Sequence, residues 1–123
     1  MKHILIVDDS TTMRRMIAAA LRGLENVRFD EAVSGLEAIE RLAVGKVDLM
    51  LLDMNMPDMH GLDVLKFIRG HSVFHRLPVL VLTTRGDEGT RSEALASGAS
   101  LYMTKPFAPA ELSRQVTTLL QGD

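Results

Sequence analysis

Short apolar runs alternate with amphipathic stretches along the whole length of the chain. The apolar runs have the length of strands, and they are residues 3–7, 27–33, 47–52, 79–82 and 99–104. The stretches that follow them repeat apolar residues at helical spacing, and they are residues 10–22, 34–44, 62–70, 87–97 and 109–120. The pattern therefore predicts five strand–helix pairs.

Local signals refine the helices of this pattern. Ser34 and Glu37 form an S-x-x-E capping box, which predicts the start of the second helix. In the first helix, one face is expected to carry Met13, Met16, Ile17, Ala20 and Leu21. In the third helix, Leu65 and Phe67 are expected in the core.

Strict alternation of strands and helices indicates an α/β protein. Near-continuous apolar strands are typical of a parallel sheet that is covered on both faces, and right-handed crossovers place helices on both sides. We expect a doubly wound (βα)5 sandwich around a five-stranded parallel sheet. No linker, repeat or low-complexity tract divides the chain, so a single domain over residues 1–123 is predicted.

Composition and charge narrow the classes of function. With 46% hydrophobic and 24% charged residues, the chain is typical of a globular protein. A net charge of −2, without a run of Lys or Arg, argues against nucleic acid or a membrane as a partner. The absence of cysteine excludes disulfides and thiol catalysis. Since no signal peptide or transmembrane-length segment is found, a cytoplasmic protein is expected.

Polar residues follow four of the five predicted strands. They are Asp8 and Asp9 after the first strand, Asp53 after the third, Thr83 and Thr84 after the fourth, and Lys105 after the fifth. Ligands of open α/β sheets bind outside this carboxyl edge. A single acid at such a place is usually a loop residue or a helix cap. Three acids, a hydroxyl and a lysine on one rim indicate a site.

The chemistry of such a site follows from its charges. Three neighbouring carboxylates repel one another and raise at least one pKa, unless a cation neutralises them. Mg²⁺ suits a few carboxylates together with waters and a phosphate. Lys105 can pair with the same phosphate, and the Thr83 hydroxyl can turn toward a phosphoryl oxygen. A carboxylate beside the metal can attack phosphorus and hold it as an acyl phosphate.

Four motifs carry a resemblance to a known family: ILIVDDS, LMLLDMNMPDMHG, VLVLTT and YMTKPF. With these motifs in this order and spacing, the chain resembles the receiver domain of two-component response regulators, of the CheY-like kind, over essentially its whole length. The resemblance implies the flavodoxin-like strand order 2-1-3-4-5, which is known for this family and is not worked out from the residues.

The resemblance also implies a phosphorylation site. Asp53 is similar to the aspartate that accepts a phosphoryl group from the phosphohistidine of a sensor histidine kinase. Asp8 and Asp9 resemble the acidic pair that holds Mg²⁺, with Mn²⁺ as an alternative, and Asp9 is the more direct ligand. Asp53 and the backbone carbonyl of Asn55 would complete the protein's share of the coordination.

Lys105, Thr83 and Tyr102 resemble the other functional residues of the family. The Lys105–Pro106 bond is implied to be cis, which would aim the ammonium inward. Thr83 is implied to move to the phosphoryl group while Tyr102 swings inward. The surface of the fourth helix, fifth strand and fifth helix would then change shape and bind a partner.

Several partners and properties come with this resemblance. The expected partners are a sensor histidine kinase or a histidine phosphotransfer protein, a downstream target protein and, as a further candidate, a phosphatase. A monomer, or a weak dimer on phosphorylation, is expected. The chain is interpreted as a phosphoacceptor signalling domain and not as an enzyme, although it would assist its own phosphorylation and dephosphorylation.

Three residues around the site are expected to tune it. The family commonly has a very small residue where this chain has Thr84, so slow phosphotransfer from small donors is expected. Arg85 and Asn55 stand where the family tunes hydrolysis of the acyl phosphate. An Arg85→Ala variant should therefore change the decay rate of the phosphorylated protein.

The remaining arginines, methionines and histidines of interest are expected to lie outside the chemistry of the site. Arg14 and Arg15 are interpreted as solvated. Three methionines near the acceptor are expected to fill gaps, with a kinase-docking patch as the weaker interpretation: Met54, Met56 and Met59. Three histidines share no ligand spacing with the acids and are expected at the surface: His60, His71 and His75.

Alternative functions stay open at this point. A stand-alone, motor-binding chemotaxis regulator is one expected role. The chain could also act as a phosphorelay intermediate, as the receiver of a longer regulator with an output domain, or as a receiver that binds its partner without phosphorylation. A haloacid-dehalogenase-type phosphatase also uses a strand-end aspartate and Mg²⁺, but its general acid would stand where this chain has Asn55. In a flavodoxin-like FMN carrier, Asp8 and Asp9 would repel the cofactor's phosphate.

Overall fold

In the computed structural model, which describes residues 1–84, 86 and 88–121, five strands alternate with five helices. The strands are β1 (Lys2–Val7), β2 (Val27–Ala32), β3 (Leu49–Asp53), β4 (Val79–Thr83) and β5 (Leu101–Thr104). The helices are α1 (Thr11–Ala20), α2 (Gly35–Val44), α3 (Gly61–Gly70), α4 (Glu88–Ala96) and α5 (Pro109–Gln121). The five predicted strand–helix pairs are confirmed, with shifts of a few residues at their ends.

All five strands lie in one parallel sheet with the order β2-β1-β3-β4-β5. In its register, Val7 of β1 lies beside Leu52 of β3, and Thr83 of β4 lies beside Thr104 of β5. The doubly wound α/β class and the strand order are confirmed. Because parallel strands in this register end at one edge, the polar residues that follow them come together there.

The sheet separates two hydrophobic cores. On one face, alternate residues of β1, β3 and β4 pack against α2, α3 and α4, with Leu5, Met50 and Leu65 among the fully buried side chains. On the other face, Ile6 and Leu51 belong to the core that includes residues of α1 and α5. Every residue of β3 and β4 is buried, which explains why these strands read as continuous apolar runs.

Side-chain caps fix the starts of two helices. The Ser10 hydroxyl accepts a hydrogen bond from the Met13 N–H at the start of α1. The Ser34 hydroxyl accepts one from the Glu37 N–H, and the Glu37 carboxylate in turn accepts one from the Val33 N–H. The predicted start of α2 is therefore confirmed, with both side chains of the capping box bonded.

For two residues, the expected position in the core is wrong. Met16 is 49% exposed, because the buried face of α1 carries residues 14 and 17 and continues to residue 21, which caps the helix. Phe67 is 37% exposed at the edge of the buried face of α3, where its ring lies 5.5 Å from that of His71. Leu65 is fully buried, as expected.

No helix in the described part of the chain is long and apolar enough to span a bilayer.

Candidate functional site

Three carboxylates meet at the carboxyl edge of the sheet. Asp53 ends β3, and Asp8 and Asp9 follow the neighbouring β1. One ligand oxygen from each residue lies within 4.8 Å of the others. Asp8 and Asp53 are buried, whereas Asp9 is exposed. An oxygen-only donor set of this kind fits a hard divalent cation such as Mg²⁺.

Lys105 adds a positive charge to these acids. Its Nζ atom lies 2.7 Å from Asp8 Oδ2 and 3.5 Å from Asp53 Oδ1, and its side chain is almost fully buried. The Lys105 backbone N–H donates to the Thr83 carbonyl, which ties the segment after β5 to the end of β4. The Lys105–Pro106 peptide bond is cis. We name Asp8, Asp9, Asp53 and Lys105 the acidic corner.

The environment of Asp53 shows that the corner is short of positive charge. Burial raises the pKa of the Asp53 carboxyl, the Lys105 ammonium lowers it, and the Asp8 carboxylate raises it again. The resulting pKa lies above the ordinary value of 3.8. One lysine therefore does not offset burial and the second carboxylate, and a bound cation would stabilise the ionised form of Asp53.

Asp8 is held by the protein through all four of its polar groups. Its backbone N–H donates to the Ala32 carbonyl, and its own carbonyl accepts from Arg14 Nη1 at 2.7 Å. One carboxylate oxygen accepts from the Ser10 N–H at 2.9 Å and the other from Lys105 at 2.7 Å. The position of Asp8 is thus fixed, and the exposed Asp9 next to it is the more accessible ligand.

The residues expected to sense and tune the site lie at the ends of β3 and β4. Thr83 is fully buried, and its hydroxyl accepts a hydrogen bond from Asn55 Nδ2 at 3.2 Å. The Asn55 backbone N–H donates to Asp53 Oδ1 at 3.3 Å. Thr84 is exposed. Arg85 lies outside the described residues, so the structure does not bear on its expected tuning role.

Tyr102 lies within β5. It is half-buried, and the guanidinium carbon of Arg91 in α4 lies 6.0 Å from the centre of its ring. A cavity of about 400 Å³ opens beside it, between α4, β5 and the first turns of α5. We name this surface the α4–β5–α5 face. Its lining includes Tyr102, Phe107 and Gln115.

The loop between β3 and α3 is anchored at two points. Met54 and Met56 are buried and Met59 packs against the core, so the gap-filling interpretation is confirmed and the docking patch is wrong. The Asp58 carboxylate accepts hydrogen bonds from the N–H groups of Gly35 and Leu36 at the start of α2. Sequence reasoning missed Asp58, because nothing local links it to a helix more than twenty residues earlier.

Arg14 is the second residue that sequence reasoning missed. It was expected in solvent with Arg15, but it is only 8% exposed. Its guanidinium donates to the Asp8 carbonyl, the Thr11 hydroxyl and the Glu31 carboxylate. Arg15 is exposed, as expected. Positions 14 and 17 of α1 share one face with position 21, which caps the helix, and this spacing is the signal that could have identified Arg14 as buried.

The three histidines near α3 lie apart from the acids. His60 is exposed at the start of α3, His71 stacks on Phe74 with ring centroids 4.4 Å apart, and His75 is exposed. Among the described residues, the group of acids at the corner is the one set of side chains placed to hold a metal ion. Its geometry can bind a divalent cation and, beside it, an anionic group that pairs with Lys105.

Comparisons with known proteins agree with this geometry. The family model described as response regulator receiver domain matches residues 4–117. The chain is 39% identical to the chemotaxis protein CheY1 of Helicobacter pylori over 118 residues, which cover 95% of each chain. It is also 39% identical to the chemotaxis protein CheY-3 of Vibrio cholerae, covering 96% of this chain and 91% of that one.

Two of the solved structures that this chain resembles are described as response regulators. The chemotaxis response regulator CheY4 of Vibrio cholerae superposes with a TM-score of 0.88 at 31% identity, covering 97% of this chain and 98% of that one. A putative response regulator from Chloroflexus aurantiacus superposes with a TM-score of 0.92 at 33% identity, covering 98% of each chain.

Proposed function

Because this chain belongs to the response regulator receiver domain family, we propose that it is a signalling switch in which Asp53 accepts a phosphoryl group from the phosphohistidine of a sensor histidine kinase. Domains of this family are signalling domains and not classical enzymes. The observation that carries the proposal is the carboxylate of Asp53, set between two further acids and a buried lysine. Family membership also favours this function over the phosphatase and FMN-carrier alternatives.

The acidic corner supplies the ligands for a metal ion. Asp8, Asp9 and Asp53, with the backbone carbonyl of Asn55, would hold Mg²⁺, and Mn²⁺ offers the same preference for oxygen ligands. A dication held by these residues would supply positive charge to offset the repulsion between an approaching phosphoryl group and the three carboxylates. Support for this assignment comes from the all-oxygen donor set and from the raised pKa of Asp53.

The residues of the chain then have distinct parts in the transfer. An Asp53 carboxylate oxygen forms the new bond to phosphorus, while the bond between phosphorus and the donor's imidazole nitrogen breaks and its electron pair stays on the imidazole. Lys105 pairs with a phosphoryl oxygen and thus leaves its ion pair with Asp8. In this way the chain assists its own phosphorylation and, with water as the acceptor, its dephosphorylation.

The signal leaves the site through Thr83 and Tyr102. The Thr83 hydroxyl, which accepts a hydrogen bond from Asn55 Nδ2, would turn to donate its own proton to a phosphoryl oxygen, since a hydrogen bond to a charged acceptor is stronger. Tyr102 would then move inward, and the α4–β5–α5 face would change the shape that it presents to a downstream protein. Thr84, Asn55 and Arg85 would set the rate of transfer and hydrolysis.

The chain is proposed to act as a single receiver domain over residues 1–123, as a stand-alone CheY-like regulator in the cytoplasm. Its proposed partners are a sensor histidine kinase or histidine phosphotransfer protein, a target protein at the α4–β5–α5 face and, in addition, a phosphatase. A monomer that dimerises weakly on phosphorylation is the proposed state. A role as phosphorelay intermediate, or as the receiver of a longer regulator, uses the same chemistry at Asp53.

Intact-mass spectrometry tests the proposed function. The protein is incubated with Mg²⁺ and either a cognate kinase or a small phosphodonor, and wild type is compared with Asp53→Asn and with Asp63→Asn, which alters an exposed acid of α3. Wild type and Asp63→Asn should gain the mass of one phosphoryl group, and Asp53→Asn should gain none. If wild type gains no phosphoryl group even from a cognate kinase, the proposed function is wrong.

A further inference from the structure

We propose that Arg14 is a positioning residue of the cation site. It holds the turn formed by Asp8 and Asp9 in the orientation in which the Asp9 carboxylate can reach the metal. The inference rests on the proposed function, since it concerns the same metal site. Arg14 does not touch the acceptor Asp53 in any hydrogen bond or ion pair between described residues. Its contribution is therefore made through Asp8.

The guanidinium of Arg14 joins three parts of the chain at once. Nη1 donates to the Asp8 carbonyl after β1 at 2.7 Å, and Nη2 donates to the Thr11 hydroxyl at the start of α1 at 3.1 Å. Nε donates to Glu31 Oε1 in β2 at 2.6 Å. Each nitrogen thus has its own acceptor. This fork geometry is available to arginine but not to lysine, whose donors radiate from a single nitrogen.

The hydrogen bond from Arg14 to the Asp8 carbonyl acts on the peptide group that leads into Asp9. That carbonyl belongs to the peptide group between Asp8 and Asp9, so its direction fixes where the Asp9 backbone begins. The contact between Arg14 and this carbonyl is buried, and a buried carbonyl without a donor would turn toward water. Without Arg14 the peptide would rotate, and Asp9 would lose its alignment with the other two acids.

Glu31 offsets the positive charge of the Arg14 guanidinium. A guanidinium close to the corner repels a dication, and the ion pair with Glu31 offsets that repulsion. The Glu31 side chain is half exposed while that of Arg14 is nearly buried, so the negative partner lies on the solvent side. Arg14 can therefore orient the turn at little cost to the affinity for the metal.

Calorimetric titration with Mg²⁺ tests the inference on the full-length protein. Arg14→Lys keeps the charge and loses the fork, and Arg15→Lys is the matched control at the adjacent exposed position. We expect Arg14→Lys to raise the Kd for Mg²⁺ about tenfold, the range found for partners that orient metal ligands. Arg15→Lys should stay within about twofold of wild type, a margin far below the effect of removing an orienting partner.

Circular dichroism and thermal melts separate positioning from a purely structural role. A structural role would lower the Tm of Arg14→Lys but leave its Kd unchanged at a temperature where the protein is folded. A folded Arg14→Lys protein with the wild-type Kd overturns the inference and leaves the proposed function intact. A wild-type protein that does not bind Mg²⁺ overturns the proposed metal site, and the inference with it.

A second variant keeps the test decisive if Arg14→Lys does not fold. Glu31→Gln alters an exposed side chain and leaves the guanidinium without its charged partner. Asp30→Asn removes the same charge one residue earlier, on the opposite face of β2. We expect Glu31→Gln to weaken Mg²⁺ binding severalfold more than Asp30→Asn, as for other partners of orienting groups. Equal Kd values for the two variants overturn the inference.

Discussion

The acidic corner and the α4–β5–α5 face differ in how firmly they are held. The corner follows β1 and β3, whose inner residues are fully buried. Within the corner, all four polar groups of Asp8 form hydrogen bonds. The residues of β5 are partly buried or exposed, and Ala94 is the buried residue of α4. Phosphoryl chemistry needs ligands at fixed positions, whereas a switch needs a surface with few buried contacts to break.

Thr83 connects these two regions. It ends β4, a wholly buried strand beside β3, and it lies next to Thr104 at the end of β5. Its hydroxyl accepts a hydrogen bond from Asn55, two residues after Asp53. In the proposed switch, a change in the partner of this hydroxyl would therefore pass from the acidic corner to the α4–β5–α5 face through the paired backbone of β4 and β5.

The largest effect is expected from the loss of the most accessible ligand. Asp9→Ala should abolish Mg²⁺ binding, because the two carboxylates that are left to hold the ion are both paired with Lys105. The fold should persist, since Asp9 is exposed and removing it relieves repulsion. Calorimetry with Mg²⁺ measures the binding, and circular dichroism checks the fold.

Asp63→Ala is the matched control for Asp9→Ala, since it removes another exposed carboxylate that lies on α3. It should bind Mg²⁺ as wild type does. Wild-type affinity in Asp9→Ala would show that the ion is not held at the acidic corner, and the contrast between a fixed chemical region and a loose surface would lose its basis.

A smaller effect is expected from Thr83→Val, which removes the connecting hydroxyl and keeps the shape of the side chain. Asp53 should still gain a phosphoryl group, but the response of the α4–β5–α5 face should be reduced. The free energy of unfolding should fall by about 1 kcal/mol, the typical value for one hydrogen bond. Intact mass measures the first property, hydrogen exchange of residues 88–104 the second, and denaturant unfolding the third.

An unaltered exchange response in phosphorylated Thr83→Val would contradict the role of Thr83. Thr12→Val, in which an exposed threonine of α1 outside the measured residues loses its hydroxyl, is the control for the substitution itself. It should keep both the adduct and the exchange response of wild type.

The smallest effect is expected for the loop between β3 and α3, which Asp58 anchors to the start of α2. Although burial opposes it, hydrogen bonds from the N–H groups of Leu36 and Gly35 lower the pKa of the Asp58 carboxyl below the ordinary value of 3.8. A lowered pKa in the folded state means that the contribution to stability is present above pH 4 and is lost as pH falls below it. Asp58→Ala should therefore lower the Tm at pH 7 and approach the wild-type Tm near pH 2.

Thermal melts at several pH values measure this difference, with Asp63→Ala as the control for an exposed acid of α3. A Tm difference that stays constant from pH 7 to pH 2 would show that the ionised carboxylate does not anchor the loop.

Much of this molecule could be predicted from local sequence. The buried strands β3 and β4 read as apolar runs because both of their faces are covered, and the S-x-x-E pair at Ser34 marked α2 through a local cap. The meeting of Asp8, Asp9 and Asp53 followed from the rule that parallel strands end at one edge. The strand order came from the family resemblance, since pairing between distant strands leaves no local mark.

Contacts between distant segments limited the rest. Asp58 binds a helix that lies earlier in the chain, and Glu31 of β2 pairs with Arg14 of α1, so neither interaction has a local pattern. Arg14 was misjudged because a charged residue is expected in solvent, although its spacing from Ile17 placed it on the buried face. Met16 was misjudged for the same helix, as an apolar residue assigned to the wrong face.

Hydrogen exchange of the phosphorylated protein tests the central claim that a phosphoryl group on Asp53 changes the α4–β5–α5 face. Wild-type protein carrying one phosphoryl group is compared with the same protein before phosphorylation, with Asp53→Asn treated in parallel. Exchange should change in residues 88–104 of wild type, stay constant in the interior of β1 and β3, and not respond in Asp53→Asn. A phosphorylated wild-type protein whose α4 and β5 exchange as before would contradict the account.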